Sequence, residues 1–284
     1  MAAVPACDAH VHVFDPARHP YSPSRKFTPG TADVAQLASY LDQAGMARVV
    51  LVQPSVYGVD NRCMVEAIAR LGDRARGVAV VSPKTPLDEL HALADSGVVG
   101  ARLNMVVQRR GSAADAFQSV MALDALLPQA WHVQLHVSLG VLSEMADVLR
   151  HTRRTFVLDH LGLPAVLDGV TSPQWTGLLK LLDTGRLYVK LSGPYLSSAQ
   201  PSPYEDLAPF VDSLITANPE RIVWGSNWPH TQGVHRPEST DLSQIEQFRQ
   251  EDPLAWPQAC ARWAGQELFR QIHRNAQSLY GFAG

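Results

Sequence analysis

The sequence lacks the features that mark several classes of protein. Its three cysteines, Cys7, Cys63 and Cys260, form no C-x-x-C pair, a usage typical of a reducing compartment rather than of a disulfide framework. No apolar run approaches the roughly 20 residues that span a bilayer. The first residues, MAAVPACDAH, lack the basic start and apolar stretch of a secretory signal. We therefore predict a cytoplasmic protein that does not bind membranes.

Charge is also scarce. Charged residues make up 18% of the chain, the net charge is −3, and no cluster of lysines and arginines stands out. A nucleic-acid partner would need such a basic surface, so none is expected. The hydrophobic share of 46% is ordinary for a globular protein. The length of 284 residues is close to the roughly 250 that an α/β barrel needs.

What the sequence does contain is a rhythm of short apolar runs rich in β-branched residues. Near-continuous runs such as VVLVQ and TFVLD are typical of parallel strands buried on both faces. Eight strands are predicted: Ala6–Phe14, Arg48–Gln53, Arg76–Val81, Val98–Asn104, His132–Val137, Thr155–Asp159, Leu187–Leu191 and Arg221–Trp224.

Segments with helical spacing of apolar residues separate these runs, and the tail from Pro253 to Tyr280 reads as two further helices. Eight strand–helix alternations in one chain predict an α/β fold, a single-domain (β/α)8 TIM barrel over residues 1–284. An open doubly wound sheet is the alternative. It is disfavoured because no G-x-G-x-x-G follows the first strand.

Polar residues at the predicted strand ends should mark the active site, because barrel enzymes place it at the carboxyl ends of their strands. Histidines end the first, fifth and sixth strands. The candidates are His10, His12, His136 and His160, joined by Gln53, Ser55, Arg102, Asn104, Tyr195, Asn227 and His230. Strand alternation places His10 and His12 on one face and turns Asp159, which precedes His160, away from the mouth as a structural residue.

The H-x-H pair leaves the metal question open. Two imidazoles on one face suit Zn²⁺, with His10, His12, His136 and His160 as the possible ligands. The other reading is that these histidines only make hydrogen bonds at the barrel mouth.

Five motifs in order resemble one branch of the amidohydrolase superfamily. They are DAHVHVF at the first strand, VLVQPSVYGVDNR after the second, GARLN at the fourth, FVLDHLGLP at the sixth and RIVWGSNWPH at the eighth. They cover the chain from Asp8 to His230. The branch includes pyrone-dicarboxylate lactonases and galactarolactone isomerases, so the resemblance implies a (β/α)8 barrel that acts on a lactone without a metal.

The resemblance also implies roles for individual residues. His10, His12 and His160 match histidines that surround the scissile ester, Arg102 matches an arginine that binds a substrate carboxylate, and Arg109 (or Arg110) matches a second. Two departures stand out. Asn227 occupies the position of the aspartate that activates water in the lactonases, and an amide cannot accept that proton. The loop LSGPYLSS after the seventh strand lacks another carboxylate-binding arginine, which makes the dicarboxylate pyrone itself an unfavourable substrate.

We therefore predict a hydrolase that opens a small carboxylated lactone, as a monomer or homodimer and without a cofactor, with Zn²⁺ as the alternative. In this reading His10 and His12 donate hydrogen bonds to the lactone carbonyl, and His160 or His230 activates water. The alternatives are an aldarolactone isomerase, for which Asn227 is no defect, a metal-dependent decarboxylase, and an inactive barrel that binds a small acid.

Overall fold

A computed structural model describes residues 4–106, 113–236 and 241–282. Its main element is a sheet of eight parallel strands in which each strand pairs with the next along the chain. The strands are β1 (Cys7–Val11), β2 (Arg48–Val52), β3 (Ala75–Ala79), β4 (Val98–Asn104), β5 (His132–His136), β6 (Phe156–Leu158), β7 (Leu187–Leu191) and β8 (Ile222–Trp224). The predicted (β/α)8 barrel is confirmed, and all eight predicted strands are present.

Contacts between the first and last strand regions bring the sheet to near closure. Val11 forms a parallel bridge with Trp228. The amide of Asn227 donates to the His10 carbonyl at 2.9 Å, and the amide of His12 donates to the Trp228 carbonyl at 2.8 Å. These bonds hold the H-x-H segment beside the residues that follow β8.

Helices surround the barrel and cover its lower end. They are α1 (Val34–Gln43), α2 (Arg62–Leu71), α3 (Leu87–Asp95), α4 (Ala113–Leu126), α5 (Leu139–Glu144), α6 (Ala146–His151), α7 (Pro173–Leu182), α8 (Ala208–Ala217), α9 (Ala255–Ala264) and α10 (Gln266–Tyr280). The start of α1 is fixed by a capping box between Asp33 and Gln36. Within these ranges no helix combines the length and apolarity that a membrane crossing requires.

Apolar side chains form two clusters. The larger one lies between the strands and the helices. The smaller one includes Cys7, Ala9 and Val223 from the strands and Tyr280 from α10, so the last helix covers the barrel end opposite the carboxyl ends of the strands. Apolar burial thus fills the base of the barrel and leaves polar side chains above it.

The long loop after β1 is held over the mouth at two places. Phe14 pairs with Ala32 in an antiparallel bridge. Thr28–Pro29 pairs in parallel with Ile245–Glu246, which lies in the segment after β8. This arrangement places Phe27 in the wall of the pocket at the mouth.

Candidate active site

A pocket at the carboxyl ends of the strands brings together most of the predicted site. The predicted residues that line it are His12, Ser55, Arg102, Asn104, His136, His160 and Asn227. Six of these seven come from, or directly follow, strand ends. The seventh, Ser55, begins a short 3₁₀ turn just beyond β2. The five other predicted residues lie elsewhere or are not described.

His10 lies beneath this pocket rather than in its wall. Its side chain is fully buried, and its ring centre lies 5.0 Å from that of His12 and 4.7 Å from that of His160. The pairing of β1 with β2 shifts register between Asp8 and Val11. Because of this shift His10 and His12 both face the barrel interior, whereas Val11 packs in the outer apolar cluster.

The other predicted residues have different surroundings. Gln53 donates through its amide to the Asp60 carbonyl at 2.7 Å and is fully buried. Tyr195 accepts a hydrogen bond from Asn227, and both Tyr195 and His230 line a neighbouring cavity. Arg109 lies outside the described residues. The structure therefore does not bring His230 or Gln53 to the mouth pocket.

The orientation of the Asp159 side chain differs from the sequence-based prediction. It was predicted to point away from the mouth, but it is fully buried inside the barrel beneath the histidines. It follows β6 in register and faces inward with Val157. His160 reaches the pocket for a different reason: its φ of 53° turns the chain back after the strand has ended. Simple alternation fails because the strand stops at Leu158.

Asp159 is the centre of a buried network of charged and polar groups. Arg102 donates through Nε to its Oδ2 at 3.0 Å, and Gln134 donates through Nε2 to the same oxygen at 3.2 Å. Its Oδ1 lies 3.2 Å from Nδ1 of His10 and 3.7 Å from Nζ of Lys190. These cations and His10 hold the pKa of the Asp159 carboxyl well below its usual range, against the opposing effect of burial.

Lys190 also belongs to this network, and it was not predicted from the sequence. It is fully buried on β7, and its Nζ donates to the Ala9 carbonyl at 2.9 Å and to Oε1 of Gln134 at 2.7 Å. Burial lowers its pKa to about 8, while Asp159 acts in the opposite direction. The two hydrogen bonds to acceptors and the nearby Asp159 carboxylate favour its ammonium form.

The histidines at the pocket are neutral. Burial lowers the pKa of His12 to about 3 and that of His160 to about 4, and it lowers the pKa of His136 well below 6.5. The Arg102 charge acts in the same direction on all three. A neutral imidazole has one nitrogen that donates and one that accepts, so the partner of one nitrogen fixes the role of the other.

Hydrogen-bond partners give His12 and His136 opposite roles. Nδ1 of His12 lies 2.7 Å from the Val52 carbonyl oxygen, which can only accept, so Nδ1 carries the proton and Nε2 has the free lone pair. Nδ1 of His136 accepts from Nη2 of Arg102 at 3.0 Å, so its Nε2 carries the proton. That Nε2–H is buried and has no partner within the described parts of the chain. The pocket thus offers a base and a donor.

His160 and Asn227 have one group each in a fixed contact. Nδ1 of His160 lies 3.0 Å from the Ser192 hydroxyl. The Asn227 amide nitrogen donates to the Tyr195 hydroxyl at 2.8 Å, which leaves its Oδ1 as a buried acceptor without a partner in the described chain. Gly193 has φ +56° beside them, and a Cβ there would come within 3.0 Å of the His160 ring. The close packing fixes both side chains.

Arg236 is a pocket residue that the sequence reading did not find. It donates to both oxygens of Glu246 at 2.5 and 2.8 Å, and its guanidinium lies 3.5 Å from the centre of the Phe27 ring. Phe27 is more than 200 residues away in sequence, and Glu246 is 10 residues away across an irregular segment, so no local sequence pattern predicts these contacts. Arg236 joins the loop after β1 to the segment after β8.

The donor atoms can be tested for a divalent metal ion. Among residues 4–106, 113–236 and 241–282, one group of three possible ligands gathers within 4.8 Å: His10, Asp159 and His160. This group differs from the predicted four histidines. Both Asp159 oxygens already face a cation, Arg102 or Lys190. A divalent ion would add charge beside two fixed positive groups, so the residues fit it poorly.

Fold and site together define an α/β-barrel enzyme with a histidine-lined mouth. Residues 7–282 match the family model for amidohydrolases, and the chain belongs to that family. It is 36% identical to 2-pyrone-4,6-dicarbaxylate hydrolase of Comamonas testosteroni over 236 residues, 79% of this chain and 77% of that protein. It is 32% identical to D-galactarolactone isomerase of Agrobacterium fabrum over 208 residues, 71% and 67% of the two chains.

A solved structure is similar over nearly the whole length. An Acinetobacter baumannii protein assigned as a 2-pyrone-4,6-dicarboxylic acid hydrolase, with citric acid bound, superposes with a TM-score of 0.77 at 26% identity. The match covers 98% of this chain and 99% of that one. The resemblance predicted from the five sequence motifs is therefore confirmed.

Proposed function

We propose that this protein hydrolyses the ring ester of a small carboxylated lactone. The observation that carries the proposal is the pair of opposite tautomers at one pocket: an accepting Nε2 on His12 and a donating Nε2–H on His136. Ester hydrolysis needs a base for water and a donor for the carbonyl oxygen. The names of the lactone-hydrolysing relatives support the same reaction class.

The reaction follows from these two nitrogens. Nε2 of His12 takes a proton from water as the hydroxide oxygen bonds to the ring carbonyl carbon, and the negative charge that develops on the carbonyl oxygen offsets the burial that lowers the pKa of His12. The carbonyl oxygen becomes an oxyanion and accepts the Nε2–H of His136. When the ring C–O bond breaks, the imidazolium of His12 returns the proton to the departing ring oxygen. The product is an open-chain acid.

This assignment makes His12 a base instead of the expected hydrogen-bond donor, and it limits Asn227 to orienting the water molecule. A neutral His12 that donates through Nδ1 to Val52 cannot also donate to the lactone carbonyl. Oδ1 of Asn227 can accept a hydrogen bond from the attacking water and orient it. The proton itself goes to a histidine, because the amide has no basic site.

Arg102 remains the proposed carboxylate-binding residue, but part of its guanidinium group is already engaged. Its Nε is committed to Asp159 and its Nη2 to His136. Nη1 is the nitrogen that neither contact uses. A substrate carboxylate would therefore meet Arg102 through Nη1 rather than as a bidentate pair.

We also propose that the chemistry needs no metal and that the enzyme acts in the cytoplasm on intermediates of aromatic-acid or sugar-acid catabolism. The two cations around Asp159 support the first point. Three buried, unpaired cysteines are consistent with the second. The roles of Gln53, Ser55, Asn104, Arg109, Tyr195 and His230 in binding substrate stay predictions, as does the choice between monomer and homodimer.

Isomerisation is the second candidate. Its support is the acceptor Oδ1 of Asn227, which could orient a substrate hydroxyl as readily as water, together with the relative named D-galactarolactone isomerase. In that reaction a substrate hydroxyl replaces water as the nucleophile, and His12 carries the proton in the same way.

Turnover in H₂¹⁸O with a chelator present separates the candidates. We expect an open-chain acid that carries one solvent oxygen, detected by proton NMR and mass spectrometry on a panel of pyrone, muconolactone and aldarolactone substrates. A shifted ring without label would establish the isomerase. Loss of CO₂ would indicate a decarboxylase, and tight binding without turnover would indicate an inactive barrel.

Replacing His12 by Gln is expected to lower kcat by about a hundredfold or more, because it removes the base and leaves the pocket size nearly unchanged. Kinetics on the substrate that the panel identifies would measure this. The matched control is His136→Gln, because the glutamine amide can still donate a hydrogen bond. This variant should retain more activity than His136→Leu, which cannot donate. Equal losses in His12→Gln and His136→Gln would contradict the tautomer assignment.

A further inference from the structure

Lys190 occupies an unusual place for a charged side chain. It lies inside the barrel with no exposed surface, below the pocket and out of reach of substrate. Its Nζ is 3.7 Å from Oδ1 of Asp159 and 3.4 Å from Nδ1 of His10. Two hydrogen bonds to neutral acceptors, the Ala9 carbonyl and Gln134, fix it there. The position of the charge is therefore set from β1 and β5 as well as from β7.

The charge stands next to the atoms that could ligate a metal. Asp159 and His10, both in contact with Lys190, belong to the His10–Asp159–His160 group. A Zn²⁺ ion binds nitrogen and oxygen at about 2.0–2.2 Å. An ion bound to Oδ1 of Asp159 would therefore lie close to an ammonium that cannot move away without breaking its hydrogen bonds.

Gln134 ties the two charges together. Its Oε1 accepts from Lys190 at 2.7 Å, and its Nε2 donates to Oδ2 of Asp159 at 3.2 Å. Arg102 completes the set on the other side of the carboxylate. The carboxylate is held in one orientation, and with it the His10 ring.

We propose that Lys190 is a positioning residue that takes the structural place of a divalent metal ion: it fixes Asp159 and His10 beneath the pocket and keeps Zn²⁺ out of the His10–Asp159–His160 group. The inference rests on the proposed metal-free function. It makes a separate claim, which is that the metal donors are present and that, of the two positive groups beside Asp159, Lys190 is the one that blocks them.

Lys190→Met tests the claim because it keeps the length of the side chain and removes its charge. Purified proteins are incubated with ZnCl₂, dialysed against zinc-free buffer and assayed for zinc by mass spectrometry. Wild type and the exposed control Lys180→Met should retain less than ~0.1 equivalent, whereas Lys190→Met should retain about one, because three protein ligands suffice for a zinc site. Adding Asp159→Asn to Lys190→Met should abolish the retention.

Two outcomes would overturn the proposal. One is a folded Lys190→Met protein that retains no zinc. The other is wild-type protein that retains about one equivalent of zinc and loses it in Asp159→Asn, a measurement that holds even if Lys190→Met does not fold. Lactone turnover by wild type in chelator is scored separately, so failure of the proposed reaction and failure of the Lys190 role give different results.

Discussion

Asp159→Ala is expected to lower the free energy of unfolding by roughly 3–5 kcal/mol, the cost of removing one partner from a buried ion pair. Asp159 is the carboxylate that faces both Arg102 and Lys190, and all three side chains are buried. Without it, Lys190 can lose its proton, but the Arg102 guanidinium cannot. The loss should appear in urea denaturation followed by circular dichroism.

Asp42→Ala is the matched control. Asp42 also pairs with an arginine, Arg74, but its side chain is 72% exposed. Such a surface pair contributes at most about 1 kcal/mol. If charge imbalance is the cause, adding Arg102→Met to Asp159→Ala should restore part of the lost stability. A loss below about 1 kcal/mol for Asp159→Ala would mean that the network does not depend on its carboxylate.

The barrel was predictable from sequence because its strands are marked locally. The runs VVLVQ and TFVLD are typical of strands buried on both faces, and they predicted β2 and β6, respectively, to within a few residues. The histidines of the mouth were predictable for a related reason. They stand at strand ends, and parallel strands in a barrel bring all their ends to one face.

The buried network around Asp159 was not predicted, because the search for site residues considered only the strand ends. Lys190 and Gln134 lie deeper in the barrel, within the strands. Lys190 did carry a signal: a lysine in the apolar run LYVKL of a buried strand requires a carboxylate partner. The tautomers of His12 and His136 carried none. They depend on the Val52 carbonyl and on Arg102, which only the closed barrel brings into contact.

The same burial that keeps the histidines neutral should make the protein sensitive to mild acid. Burial is the largest cause that lowers the pKa of seven histidines below 6.5: His10, His12, His132, His136, His160, His230 and His273. An unfolded chain binds protons at these sites as the pH falls through 6.5, and the folded protein does not. Stability is therefore complete above that pH and decreases below it.

The other groups with shifted pKa values have little effect on stability in the pH range just below 6.5, where the histidines act. Lys190, with its pKa lowered to about 8, affects stability only at higher pH. Asp159, with its pKa lowered below 3.8, contributes stability that is lost only at more acid pH. Asp8 acts in the opposite direction, since burial raises its pKa to about 6 and the folded protein takes up a proton there. It offsets about one histidine.

We expect the free energy of unfolding to be nearly constant from pH 8 to pH 7 and to fall by several kcal/mol between pH 7 and pH 5. Even three histidines that bind protons only on unfolding give a slope of about 4 kcal/mol per pH unit. Urea denaturation at a series of pH values measures this slope. His273→Asn, which removes one such group on α10 and outside the pocket, should reduce the slope by about 1.4 kcal/mol per pH unit. A flat profile between pH 7 and pH 5 would mean that the folded protein accepts protons at these buried rings, and the neutral tautomers on which the proposed reaction depends would then not persist.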